Sequence, residues 1–261
     1  MGKRTLIIGN WKMNLTIHEA SIYVHKLDAQ LTSHRNVEVV IAPGFLALPS
    51  LSMQINHRRM KLAAQNFYWR DEGTFTGEVS AHQLHGLVQY AIVGHSERRH
   101  VFGEKDKDIR SKVQAAVRNQ ITPVLCIGET AAERAAGETE AVLHDQITGG
   151  LANLTADEVE HIVIAYEPVW AISGGKDFGA HAVATPGDVA KAIKVIRRQV
   201  AHLFGKTAAT ELRVLYGGSI SASNATGFMT LSDLDGFLVG GASLNAHEFT
   251  EVIKAAHNRS K

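Results

Sequence analysis

Short apolar runs recur along the chain, nearly continuous in apolar character and bounded by Gly, Pro or polar residues. They are Thr5–Ile8, Val37–Ala42, Leu62–Ala64, Tyr90–Val93, Pro123–Ile127, Ile162–Tyr166, Arg213–Tyr216 and Gly236–Val239. A strand covered on both faces has no polar side to alternate with, so such runs predict a parallel sheet with helices packed against it. Between them the apolar spacing changes to three and four residues, which predicts helices over Asp106–Asn119, Thr139–Leu151 and Ala246–Ala256. Two further helices are marked by their first residues. Thr16 and Glu19 form a capping box, and Thr185 before Pro186 opens a helix running towards His202.

No linker, low-complexity tract or charge run divides the chain, so residues 1–261 read as one domain. Eight strand-helix alternations are compatible with a closed (β/α)8 barrel or an open doubly wound sheet. The open sheet normally carries a Gly-x-Gly-x-x-Gly turn after its first strand. The first strand here runs instead into Gly9-Asn10-Trp11-Lys12, which favours the closed α/β barrel. Right-handed crossovers then bring the carboxyl end of every strand to one face.

Composition narrows the function classes. Of 261 residues 45% are hydrophobic, the formal net charge is +1, and there is one cysteine, Cys126. The near-zero charge argues against a general nucleic-acid binder, and a lone cysteine leaves no internal disulfide. The apolar stretch before Gly9 is too short for a signal peptide or a membrane span, so no membrane partner is expected and the expected location is cytoplasmic.

In a barrel, the residues that follow each strand become neighbours. They are Asn10 and Lys12, Pro43, Gln65 and Asn66, Gly94 and His95, Gly128 and Glu129, Glu167, Gly217 to Ser219, and Gly240 with Gly241. Each has an ordinary explanation taken singly: an ion-paired surface carboxylate, a structural histidine, a glycine turn. Together they bring an amine, an imidazole, two carboxylates and two glycine pairs to one mouth. Active sites of such barrels lie there, often with a phosphate held by the loops after strands 7 and 8.

Several segments resemble the signature segments of the triosephosphate isomerase family. They are "GNWKMN" (Gly9–Asn14), "AQN" (Ala64–Asn66), "TFTGE" (Thr74–Glu78), "VGHSERR" (Val93–Arg99), "PVLCIGET" (Pro123–Thr130), "AYEPVWAI" (Ala165–Ile172), "YGGS" (Tyr216–Ser219) and "VGGASL" (Val239–Leu244). They stand in the family's order from residue 5 to the last helix. Another phosphate-binding barrel, such as an aldolase or an indole-forming synthase, would share the glycine pairs. It would not need "NWK", "GHSERR" and "YEPVW" together. A catalytically idle phosphoester-binding barrel would not need Lys12, His95 and Glu167 intact.

The resemblance implies a TIM barrel that interconverts dihydroxyacetone phosphate and D-glyceraldehyde 3-phosphate through an enediolate, in glycolysis and gluconeogenesis. Glu167 matches the family's base, and His95 matches the neutral imidazole that hydrogen-bonds the substrate oxygens, a pairing established for the family. Lys12 matches the cation that offsets negative charge, with Asn10 positioning it and Glu97 close to its amine. Ser173, Ser219, Gly240 and Gly241 match phosphate-binding positions, where glycine lets backbone N–H groups approach the oxygens. Glu129, Trp170 and Tyr216 match residues that hold the hinges of a flexible lid. No metal and no organic cofactor are implied.

The loop Asn66–Glu78 matches the arm that enters a neighbouring subunit, which implies a homodimer with Thr76 near the partner's active site. The sequence departs from the family pattern twice. Ser173 stands where the family usually has glycine, and Asp177–Ala182 reads as an insertion of about six residues before "VATP". The insertion is compatible with a plain surface extension or with altered lid closure.

Overall fold

The eight apolar runs all form strands. The structure, a computed structural model, describes residues 3–31, 36–172 and 183–259. The strands are β1 (Thr5–Asn10), β2 (Val37–Ala42), β3 (Met60–Ala64), β4 (Tyr90–Val93), β5 (Thr122–Ile127), β6 (Val163–Tyr166), β7 (Arg213–Tyr216) and β8 (Gly236–Val239). They pair in chain order and close, with β8 back against β1. Every pairing is parallel, as at Gly9, which lies beside Ile41 on one side and Val239 on the other. The main difference from the sequence expectation is in β1. It continues through Gly9 and Asn10, because both still pair with β2, so Asn10 belongs to the strand and not to the loop.

Around the barrel run α1 (Ile17–Gln30), α2 (Leu48–Gln54), α3 (Ala81–Leu84), α4 (Ser96–His100), α5 (Asp106–Arg118), α6 (Ala131–Ala135), α7 (Thr139–Gly150), α8 (Ala156–Glu160), α9 (Pro186–Glu211), α10 (Ala225–Met229) and α11 (Ala246–Asn258). Thr16 and Glu19 form the expected capping box at α1, and Thr185 with Asp188 forms another at α9. That helix runs past His202, but Gly205 at φ +91° breaks it before a last turn and a half.

Alternate residues of each strand serve two cores. Leu6, Ile8, Val40, Ile92, Cys126 and Leu238 are among those filling the barrel interior. Ile7, Ile41, Val93, Ile127 and Val239 face the helices. Both sides are dry, which is why the strands read as continuous apolar runs. Each fully buried Leu, Ile or Val contributes about 1.5–3 kcal/mol relative to exposure.

One carboxylate is buried within the wall. Glu38 in β2 is buried, and its carboxylate accepts from Lys61 Nζ at 2.6 Å and Tyr90 Oη at 2.7 Å, with Arg4 Nη2 at 3.1 Å. Burial works to raise its pKa, but the Lys61 and Tyr90 hydrogen bonds and the Arg213 charge outweigh that and hold it low. These partners sit at the strand starts, so the cluster plugs the end of the barrel opposite the mouth. The fold thereby leaves one open face for chemistry.

Candidate active site

At the carboxyl ends of the strands, Asn10, Lys12, His95, Glu167, Gly240 and Gly241 line one cavity. All six were expected there from the sequence. Gly217, Gly218, Ile172, Ile220 and Leu238 complete its wall.

Lys12 follows β1 with φ +53°, the left-handed region that costs a non-glycine residue on the order of 1–3 kcal/mol. Two side chains hold that kink. The Lys12 backbone N–H donates to Asn10 Oδ1 at 3.1 Å, and Gln65 Nε2 donates to the Lys12 carbonyl at 2.8 Å. Gln65 also donates to the Ala42 carbonyl at 2.8 Å, so it ties the ends of β1, β2 and β3 together. The kink turns the Lys12 amine to Glu97, whose Oε1 is 2.5 Å from Nζ. On its other side Lys12 meets the last glycine pair: a Cβ at Gly240 would lie 3.7 Å from Lys12 Cε.

His95 is the N-cap residue of α4. Its Nδ1 accepts the Glu97 backbone N–H at 3.3 Å. An accepting Nδ1 carries no proton, so in this arrangement the ring proton is on Nε2. Nε2 faces Glu167 Oε1 at 3.1 Å. The second oxygen of Glu167, Oε2, accepts the Ser96 backbone N–H at 3.0 Å. Glu167 is 2% exposed, and its own backbone N–H donates to the Ile127 carbonyl at 2.7 Å.

Two glycines make room for it. A Cβ at Gly217 would come within 2.8 Å of Glu167 Cγ, and one at Gly128 would collide with the Glu167 carbonyl. Cys126 lies behind Glu167 in the barrel wall, where burial pushes its thiol well up and keeps it protonated.

Beyond Glu167 the chain makes a short 3-10 turn, Val169–Ala171. Its Trp170 donates Nε1–H to Glu129 Oε1 at 2.8 Å, and Tyr166 Oη lies 3.1 Å from both Glu129 oxygens. Glu129 is completely buried, and these two donors give its charge partners. Trp170 is thus tied to Glu129.

Other expected residues are not among those lining this cavity. Ser219 stands in the loop after β7, but its backbone N–H donates to the Ala171 carbonyl at 3.1 Å and it does not line the cavity. Tyr216 closes β7, with its buried hydroxyl unpartnered among the described residues. Thr76 is exposed in the Asn66–Glu78 loop, away from the cavity of its own chain. Ser173 and Asp177–Ala182 lie outside the described residues.

Sequence reasoning brought Gln65, Gly128 and Gly217 to the mouth but gave them no part in holding Lys12 or Glu167, and it gave Ser96 no role. The signal for the glycines was available in outline, as a single glycine directly after β5 and a glycine pair directly after β7. Among the described residues no group of three or more His, Cys, Asp or Glu could hold a metal ion. No described helix is long and apolar enough to cross a membrane.

Chemically, the cavity offers a carboxylate, an N–H donor and a cation around one space, bordered by glycine-rich turns. Comparison with known proteins agrees with that content. The family model described as Triosephosphate isomerase matches residues 5–256. The chain is 42% identical over 253 residues to a protein of Citrifermentans bemidjiense named Triosephosphate isomerase, covering 97% of this chain and 98% of that one. Similarity to the proteins of the same name from Chloroherpeton thalassium (42% over 256 residues; 97% and 99% covered) and Pelobacter propionicus (43% over 249 residues; 95% and 97%) is equally extensive.

Proposed function

The chain belongs to the triosephosphate isomerase family and interconverts dihydroxyacetone phosphate and D-glyceraldehyde 3-phosphate, and we propose that Glu167, His95 and Lys12 carry that reaction. The observation that carries the assignment is the 3.1 Å contact of His95 Nε2 with Glu167 Oε1, inside the cavity that Lys12 also lines. A base and a hydrogen-bond donor meet where a carbon acid and its carbonyl can both be reached.

Substrate entering between them replaces the His95–Glu167 contact. A Glu167 oxygen takes a proton from C1 of dihydroxyacetone phosphate, and the bond's electron pair passes into the enediolate. The proton of the C1 hydroxyl passes to the C2 oxygen, the same carboxylic acid returns its proton to C2, and C1 is left as the aldehyde; the reverse reaction retraces these steps. Closure of the pocket keeps the intermediate from side reactions. His95 Nε2–H donates to the oxygen on which charge develops. Its Nδ1 is occupied by the Glu97 N–H, so the imidazole acts as a neutral donor. Lys12 offsets the charge of enediolate and phosphate. None of these steps calls on a metal or an organic cofactor.

The turns Gly217–Ser219 and Gly240–Gly241 hold the phosphate, with Ser173 a further ligand in the segment that follows Ile172. That segment is read as the family's lid, hinged at Trp170 and Tyr216. Its support here is local: Ile172 lines the cavity, and Trp170 is anchored to buried Glu129. Binding through the phosphate, remote from the reacting carbons, can then be used at those carbons.

The active form is a homodimer built by the Asn66–Glu78 arm, in which Thr76 reaches the partner's active site. In the arm, Tyr68 stacks on Trp69 and packs against Phe75, giving a preformed aromatic knob. Beside Lys12 lies a groove of about 670 Å³ that includes Met13, Ile17, Phe45 and Leu46. Met13 is 98% and Leu46 84% exposed, apolar surface that a second copy's arm would cover. The enzyme works in the cytoplasm, as one barrel domain.

The test is coupled-assay turnover of D-glyceraldehyde 3-phosphate by the purified protein and by Glu167→Gln. The parent should turn over and the variant should lose about 10²–10⁴-fold in kcat. A Glu167→Gln variant within a few-fold of the parent would overturn the assignment of the base.

A further inference from the structure

Arg134 makes a set of contacts that the reaction scheme above leaves unused. It sits near the end of α6, the helix that Thr130 and Glu133 cap directly after Glu129. Its guanidinium carbon lies 3.8 Å from the centre of the Trp170 ring. From the same planar group, Nη2 donates to Asp188 Oδ1 at 2.9 Å, while Nη1 is 3.9 Å from Glu129 Oε1.

Each of these three partners is itself held. The Trp170 indole N–H bonds Glu129, and the hydroxyl of Tyr166 bonds Glu129 as well. The other oxygen of Asp188, Oδ2, accepts from Thr185 Oγ1 at 2.7 Å and from the Thr185 backbone N–H at 3.0 Å, at the head of α9. One side chain therefore bridges the turn after β6 and the first turn of α9, two places separated by more than a dozen residues of chain. Arginine can do this because its flat face stacks on a ring while its edge pairs with a carboxylate; a lysine ammonium offers no such face.

The Trp170 turn matters to the site because of what it carries. It begins two residues after Glu167, and Ile172 just beyond it lines the cavity. Its Ala171 carbonyl takes the Ser219 backbone N–H, which connects it to the glycine-rich turn after β7. The place of the Trp170 ring thus sets the wall of the cavity on the side read as the phosphate side.

We propose that Arg134 is a positioning residue of the isomerase, whose guanidinium clamps the Trp170 turn to Asp188 and so fixes the wall of the cavity from Ile172 to the glycine-rich turn after β7. It touches no reacting atom and acts through Trp170. The proposal rests on the assignment of this cavity as the triose phosphate site.

An ion pair that merely decorates the surface predicts something different. Its loss would lower the melting temperature slightly and leave kinetics alone, and a lysine would replace it. The clamp requires the planar group and predicts a kinetic effect that charge alone does not restore.

The experiment compares the parent with Arg134→Met, Arg134→Lys and Glu167→Gln. It reads kcat and KM for D-glyceraldehyde 3-phosphate and the NMR signal of the Trp170 indole N–H, assigned by its loss in Trp170→Phe. Arg134→Met should lower kcat/KM about tenfold or more, with a raised KM, and should shift the indole signal. Arg134→Lys should regain melting temperature but neither the kinetics nor the signal. Parent-like kinetics in Arg134→Met, or full rescue by Arg134→Lys, would overturn the proposal. Glu167→Gln separates the two readings: it should lower kcat about 10²–10⁴-fold and leave the Trp170 signal in place, so the clamp and the site assignment fail independently.

Discussion

Gly128 and Glu167 touch backbone to backbone. A Cβ on residue 128 would stand 1.9 Å from the Glu167 carbonyl oxygen, at the point where β5 and β6 deliver their last residues to the mouth. The hydrogen bonds on either side, Glu167 N–H to Ile127 at 2.7 Å and Val169 N–H to Glu129 at 3.0 Å, leave the two strand ends no slack. Gly217 meets the same residue differently, through the Glu167 side chain.

These two contacts predict separable effects. Gly128→Ala must push the strand ends apart, so it should cost about 1–3 kcal/mol of stability and lower kcat as well. Gly217→Ala presses on Glu167 Cγ, the movable part of the residue, and should lower kcat with a smaller loss of stability. Urea unfolding and steady-state kinetics on both variants check this. Equal stability losses with equal kcat would contradict the distinction between a backbone and a side-chain collision.

Lys12 gives a second prediction. Its amine is the cation among the residues lining the cavity, and its kinked backbone is fixed from both ends by Asn10 and Gln65. A hydrogen bond to a charged group contributes about 1.5–3 kcal/mol, so Lys12→Met should lower kcat/KM about tenfold to a hundredfold or more. Gln65→Leu removes the brace and keeps the amine. It should give a smaller loss, seen mainly in KM, if the brace positions Lys12 as the geometry indicates.

The arm of the proposed dimer is braced from within its own subunit. Lys112 in α5 is buried; Nζ donates to Asn66 Oδ1 at 2.7 Å and to the Glu104 carboxylate, which Arg98 also approaches at 3.3 Å. Lys112→Met leaves that carboxylate with less compensation in a dry site and frees the base of the arm. It should destabilise the fold by about 3–5 kcal/mol. Adding Glu104→Gln should return part of that loss, because the buried charge is then removed too. Sedimentation at decreasing concentration should show the single variant dissociating first.

The strands were legible because both of their faces are dry, and the helix starts because Thr16 with Glu19 and Thr185 with Asp188 carry their caps in local sequence. The same signature stands at Ser80 with Gln83, Thr130 with Glu133 and Thr155 with Glu158, and each caps a short helix. Helices of four or five residues hold too few apolar positions to show a period, so the caps were their only signal. Glu38 was hidden for another reason. Inside an apolar run it looks like an exception, and its partners Lys61, Tyr90 and Arg213 lie on β3, β4 and β7, brought to it only by closure of the barrel. At the mouth, Lys12, His95 and Glu167 could be gathered by the rule that strand ends converge. The supports around them could not, because Ser96 acts through its backbone, Gly128 and Gly217 through missing atoms, and Arg134 through the face of a ring.

Asp188 makes a prediction about acid. Hydrogen bonds from Thr185, with the Arg134 guanidinium alongside, outweigh desolvation and hold its carboxyl at about 2, below the ordinary 3.8. In the unfolded chain the group takes up its proton near the ordinary value, roughly 3.9. Between those two values the unfolded state binds more protons than the folded one, so stability falls as pH falls. The contribution is complete above about pH 4 and is lost by about pH 2. Asp188→Asn never has it. The variant should therefore melt below the parent near neutral pH, and the gap should narrow as pH falls through this window, where Asp188 of the parent becomes protonated. Because the group is partly exposed, added salt should narrow the neutral-pH gap as well. Melting curves across the acid limb decide it: a gap that stays constant down to about pH 3 would mean that the Asp188 charge does not hold the head of α9 to Arg134.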